Sequence, residues 1–156
     1  MKGGLHMYSQ NTWNPNIQRS WVPCLLRDDD RYVLRAKDVG DDVQTTGDKI
    51  YLHYRVPASG FLSNQRLFVD GVRIGLNNAD AQNFVSEVML LGVHHAGANG
   101  IWEQNTQMNS QGDHVLPINP AQDLSRFPAA DLRITLKSTT PGILRIAYTL
   151  VSVSYR

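Results

Sequence analysis

The stretch DLRITLKSTTPGILRIAYTLVSVSYR, residues 131–156, decides the fold class. Leu132, Ile134 and Leu136 alternate with Arg133, Thr135 and Lys137. That is the two-residue period of a strand with one buried face. Ser138-Thr139-Thr140-Pro141-Gly142 interrupts it. Pro presets φ and Gly accepts φ > 0, so Pro141-Gly142 predicts a turn. A second run, Ile143 to Tyr155, is dense in Val, Ile, Thr and Tyr, the residues that fit a pleated surface. The expectation is a two-stranded antiparallel unit in a β-protein.

The same period recurs upstream. Ile50, Leu52, Tyr54 and Val56 fall on one face of a strand over 49–56, with Lys49, Tyr51, His53 and Arg55 on the other. Tyr32-Val33-Leu34 begins a short strand after the solvated turn Arg27-Asp28-Asp29-Asp30-Arg31, and 38–47 reads as a polar turn region. In Leu67–Ile74, Asp70-Gly71 stands between apolar runs and predicts either a type I′ hairpin or a bulge in one longer strand. Over 79–91, Ala81, Phe84, Val85, Val88 and Met89 keep helical spacing, with Asn78 as cap, Asp80 in the first turn and Gly92 as terminator. A helix is expected there, with a buried strand over 84–93 as the competing reading. Residues 92–128, rich in Gly, Pro, Asn and Gln, read as long irregular loops with short strands at Ile101-Trp102 and Val115-Leu116.

The chain has 156 residues, 42% hydrophobic and 19% charged, with net charge +1. That length suits one domain with a self-sufficient core. Eleven Asn and nine Gln supply the polarity that charges do not. Amides hydrogen-bond across wet surfaces without the cost of burying an ion. The basic residues are scattered, so no arm neutralises phosphates and direct nucleic-acid binding by a basic tail is not expected. A single cysteine, Cys24, excludes an internal disulfide and a Cys-based zinc site. No run approaches the ~18 apolar residues of a membrane span, and 1–10 lacks the apolar core of a signal peptide.

Residues 1–23 form a polar segment carrying Tyr8, Trp13 and Trp21, and 24–156 the domain proper. Disordered tails are poor in aromatics. These side chains therefore either fold back onto their own domain or anchor an extended arm on a neighbouring subunit.

Tests for chemistry give no positive reason to expect an enzyme. His94, His95, His114, Asp113 and Glu103 form the one plausible metal cluster. Gly92-Val93-His94-His95 with Glu103 is faintly similar to the cupins, which are small jelly-roll β-barrels. Adjacent histidines in a strand point to opposite faces, so the match fails at the ligands. No cofactor is expected. Cys24 lies in an apolar Pro-Cys-Leu-Leu setting, where a thiol is inert. Trp102, Glu103, Gln104 and Asn105 combine an aromatic ring with amides and a carboxylate, as a glycan or receptor site requires; the plainer reading makes Trp102 a plug over the core.

Together the polar arm 1–21, the strand over 49–56, the loops of 92–128 and the closing strands over 132–137 and 143–155 resemble the single jelly-roll structural proteins of viruses and phages. The resemblance implies a mainly β, antiparallel β-sandwich, jelly-roll-like, with long loops and one short helix. It further implies a virion protein (a capsid shell, decoration, spike or fibre-head subunit) assembled in the host cytoplasm. Its partners would be copies of itself and other virion proteins. Many coat proteins of small RNA viruses carry a basic arm; this arm is not basic, which points away from genome binding, towards a tailless membrane-containing virus or an accessory role on a particle. A glycan- or receptor-binding β-sandwich at the tip of a phage fibre is the alternative.

Overall fold

The computed structural model describes residues 19–27, 33–37, 40–57 and 66–156. These fold into eleven strands: β1 Arg19–Pro23, β2 Leu25–Leu26, β3 Val33–Lys37, β4 Gly40–Thr46, β5 Lys49–Arg55, β6 Leu67–Asn77, β7 Asn83–His94, β8 Gly97–Met108, β9 Gly112–Asp123, β10 Ala129–Ser138 and β11 Pro141–Tyr155. One sheet runs β3-β4-β11-β6-β9, with β1 also paired to β11; the other runs β2-β5-β10-β7-β8. All neighbours are antiparallel.

The pairing is nested. β4 lies against β11, β5 against β10, β6 against β9 and β7 against β8, with successive pairs in alternate sheets. It is the pattern of one long hairpin wound into a roll, the eight-stranded jelly roll of two Greek keys. The antiparallel jelly-roll sandwich expected from the sequence is therefore present.

Burial follows the alternation. Ile50, Leu52, Tyr54 and Val56 are at most 1% exposed, while Tyr51, one residue out of phase, is 43% exposed. Row by row the second sheet turns Tyr54, Leu132, Leu90 and Trp102 inward, where they meet Val43, Leu76, Leu144 and Ile146 of the first sheet in one core.

Four expectations need correction. The closing strands do not pair with each other. β10 belongs to the second sheet and β11 to the first, and Thr139-Thr140 carries the chain between them. Pro141 and Gly142 are the first residues of β11, not the turn itself. The reason is the core: both strands bury one face, and stacking them across the sandwich buries both faces against each other.

The helix expected over 79–91 is β7. Its cap signals are real turn chemistry: Asp80 Oδ1 accepts the N–H groups of Gln82 (2.8 Å) and Asn83 (2.9 Å), and Asn78 has a φ of 67°. They start a strand because β10 and β8 flank it on both sides, and because Ser86 is inserted as a bulge. That insertion shifts Phe84 and Val85 relative to Val88 and Leu90, which mimics a helical stripe.

The polar region 38–47 contains β4; only Val43 and Thr45 turn inward, and Asp42 meets Arg145 across the ladder at 2.6 Å. The loops of 92–128 are mostly β8 and β9, each at the margin of its sheet, where few apolar residues are needed. Asp70-Gly71 resolves as a bulge within the continuous β6. The solvated turn expected at 27–31 lies outside the described residues from position 28 on.

Candidate functional site

Two outward surfaces collect reactive side chains. On the second sheet, register aligns Glu103, Met89, Arg133 and His53 in one row and Asn105, Glu87, Thr135 and Tyr51 in the next. Arg133 Nη2 donates to Glu87 Oε1 at 3.1 Å, and the Thr135 hydroxyl donates to the same oxygen at 3.3 Å. The guanidinium stands 4.8 Å from the Tyr51 ring centroid. The result is a polar field with one exposed aromatic ring held by a cation–π contact.

On the first sheet, Arg73 of β6 donates through Nε (2.9 Å) and Nη2 (2.8 Å) to the two oxygens of Asp113 on β9. Tyr148 of β11 donates its hydroxyl to Asp113 Oδ1 at 2.5 Å. Arg73 also lies 5.5 Å from the Trp21 ring on β1. The Tyr148 ring covers Gly75, where an added Cβ would come within 2.3 Å of it. Hydrogen bonding to Arg73 holds the Asp113 carboxyl below the usual range, against the opposing effect of its own burial. Partial burial and then the Asp113 hydrogen bond push the Tyr148 phenol up. Sequence reasoning singled out Trp21 but missed Arg73 and Tyr148, because three strands far apart in sequence supply the cluster. The one local signal was Gly75, a glycine inside a strand, which marks close approach.

Asp131, buried on β10, accepts from Arg55 Nε at 2.6 Å and Arg27 Nη1 at 3.1 Å. Beside it Cys24 is buried, and its thiol is pushed up to about 12, first by burial and then by the Asp131 charge. A groove of 510 Å³ opens here, lined by Cys24, Leu25, Leu26, Asp41, Tyr54 and Tyr148 among others. Leu25 stands 65% exposed at this groove. On β1, Arg19 Nε meets Asp70 Oδ2 at 2.6 Å, with the two side chains only 10% and 1% exposed.

The residues proposed from sequence are dispersed. Tyr8 and Trp13 lie outside the described residues. Trp21 pairs opposite Ser152 in β1, half-buried. Trp102 sits opposite buried Leu90 and packs on the core from the sheet margin. Glu103 and Asn105 turn to the outer face; Gln104, opposite buried Val88, takes the inner side at the exposed rim. A shallow depression of 280 Å³ touches Met89, Gly100, Ile101, Trp102 and Glu103. His94 ends β7, His95 follows in the turn, and His114 lies in β9 of the other sheet with its Nε2 2.8 Å from Ser110 O. Among the described residues no group of three or more His, Cys, Asp or Glu is placed to hold a metal ion, and no helix is long and apolar enough to cross a membrane.

No protein-family model matches the chain, and no curated protein matches it in sequence. Solved structures do resemble it. A family 32 carbohydrate-binding module from C. perfringens, in complex with galactose, matches at 11% identity and a TM-score of 0.47, over 87% of this chain and 93% of that one. A structure of infectious bursal disease virus, Gt strain, matches at 14% identity and a TM-score of 0.48 over 90% of this chain, which spans 32% of the viral one. The coat protein of tobacco streak virus matches at 10% identity and a TM-score of 0.38, over 91% and 88%. The chain is thus similar to viral coat proteins and to carbohydrate-binding modules alike.

Proposed function

We propose that the protein is a structural subunit of a virus or phage particle, working by self-assembly and contact with other virion proteins, without a catalytic step. One observation carries this reading. The four connections at one end of the roll are trimmed to residues 47–48, 78–82, 109–111 and 139–140. They are also tied to one another. Gly47 N–H donates to Ser138 Oγ at 3.1 Å, and Thr139 N–H donates to Gln82 O at 2.8 Å. Binding modules and enzymes place function on extended loops carried by a rigid scaffold. At this end of the roll the described residues offer strand edges and sheet faces rather than extended loops, the parts through which copies pack. Within the particle, Tyr8 and Trp13 anchor the segment before β1 on a neighbouring subunit.

Light scattering of purified protein, with negative-stain images of the same sample, tests the proposal. Closed particles or a defined oligomer are expected; a monomer at the highest soluble concentration, with or without its companion virion proteins, overturns it. Removing residues 1–17 is expected to weaken assembly and leave the β-core folded. Deletion through Ser20 is unsuitable, because it removes Arg19 and strands the buried Asp70 carboxylate.

A second reading, glycan binding, is favoured by the exposed Tyr51 ring against Arg133, with Glu87, Asn105 and Glu103 farther across the same outer face. Glycan-array binding lost in Tyr51→Ala, with oligomeric state unchanged, would support it. Trp102→Ala is the weaker probe, since Trp102 packs on the core.

A further inference from the structure

The two long margins of the sandwich are treated differently. β8 and β9 are each twelve residues long, are the outer strands of their respective sheets among the described residues, and are joined by residues 109–111. β9 is blunted. It carries Pro117 and Pro120, the latter after a cis peptide bond, and prolines have no N–H to offer a further strand. Its ladder with β6 jumps from Gly71↔Pro117 to Val69↔Gln122, and Ile118 turns into the core. Asp113 and Asp123 add charge.

β8, in contrast, has no proline, lysine or arginine and a single charge, Glu103. Bulges beside Ile101 and Thr106 leave Trp102–Asn105 in unbroken register with Leu90, Met89, Val88 and Glu87. Glu103, Gln104 and Asn105 are exposed. An unblunted edge is a template for another strand.

We infer that this edge of β8 pairs antiparallel with β8 of a second copy of the chain, across a dyad through Gln104. The inference deepens the assembly reading above and rests on it. A second copy is favoured because amides are self-complementary. Each carries both donors and acceptors, so Asn and Gln can face themselves where charged residues cannot.

The register follows from geometry. A dyad normal to the sheet keeps outer face continuous with outer face. Opposed residues must then share a face, and the axis passes through a residue rather than between two. An axis through Glu103 sets two carboxylates against each other. An axis through Gln104 sets Gln104 against itself and each Glu103 against Asn105 of the other copy. Glu103 and Asn105 do share the outer face, so carboxylate meets amide donor twice. The second sheets of two copies become one continuous sheet, a twofold isologous contact.

Two sets of substitutions at exposed positions test this on the full chain, with circular dichroism to confirm the fold. In an antiparallel pair, directly opposed Cα atoms lie about 4.5–5.5 Å apart, within disulfide range. Gln104→Cys is therefore expected to give a disulfide-linked dimer on mild oxidation, and Gln107→Cys is not. Buried Cys24, its thiol raised to about 12, stays out of the exchange. Gln104→Lys sets two ammonium groups across the axis and is expected to weaken the contact by about tenfold or more. Asn105→Lys places a cation opposite Glu103 and is expected to leave it as tight or tighter. Oligomers of unchanged strength in Gln104→Lys, or equal cross-linking at 104 and 107, overturn the β8 contact while leaving assembly standing. A wild-type monomer overturns both.

Discussion

Arg19→Met isolates the fastening of β1, the strand that joins the N-terminal segment to the roll. Arg19 Nε lies 2.6 Å from Asp70 Oδ2, and the carboxylate side chain is 1% exposed. Removing one partner of such a pair leaves a buried charge uncompensated and costs about 3–5 kcal/mol. Domains of this size are stable by about 5–15 kcal/mol, so the loss is a large share of the total. With a urea m-value of about 2 kcal/mol/M the midpoint falls by roughly 2 M. At about 2–4 °C per kcal/mol, Tm drops by roughly 10 °C. Asp70→Asn added to Arg19→Met removes the stranded charge and restores more than half of the loss. Urea melts followed by far-UV circular dichroism, with the m-value held common, read both variants. A loss below about 1 kcal/mol for Arg19→Met, or a double variant no more stable than the single one, refutes the claim that the charge pair fastens the strand.

Gly75→Ala drives a methyl group into the Tyr148 ring; it is expected to cost about 1–3 kcal/mol and to break the Tyr148–Asp113 hydrogen bond, seen as a downward shift of the Tyr148 phenol in an ultraviolet pH titration. The Asp113 carboxyl is held below its unfolded value by Arg73, so its contribution is present at neutral pH and fades as pH falls through the folded value; melts of wild type and Asp113→Asn should converge in acid, and more so in high salt because the group is largely exposed. Cys24 should be inert to thiol reagents at pH 8 in the native protein and react only as fast as the chain opens, since burial raises its thiol to about 12. Rapid native labelling would show that the β1–β2 crossing opens locally.

The legible parts of the sequence were those governed by local alternation. Over 49–56 and 132–136, every second side chain is buried, so the period alone placed the faces correctly. Partnership was not legible. The two closing strands looked like a hairpin because proximity in sequence favours pairing, but the core separated them into different sheets. At β7 a single bulge at Ser86 turned an alternating strand into an apparent helical stripe. β8 and β9 were hidden because marginal strands need few apolar residues, and β4 because only Val43 and Thr45 turn inward, leaving Asp, Asn and Gln to suggest loops. Side chains were legible as chemistry but not as constellations. Trp102, Glu103, Gln104 and Asn105 are adjacent in sequence, and strand geometry sends them to opposite faces. Arg73, Asp113 and Tyr148 are scattered in sequence and meet through the register of β6, β9 and β11.

β11 is the last strand in sequence, yet β1, β4 and β6 all hydrogen-bond to it. During synthesis the first sheet has no centre until that strand leaves the ribosome. The edges of β1, β4 and β6 that pair with it stay open while 117, 94 and 63 intervening residues are made. Topologies dominated by such distant pairings fold in milliseconds to seconds rather than microseconds. The nascent chain therefore passes through a window in which strand edges are available to other chains. That window makes yield depend on the rate of translation and on chaperones, as well as on the stability of the finished roll.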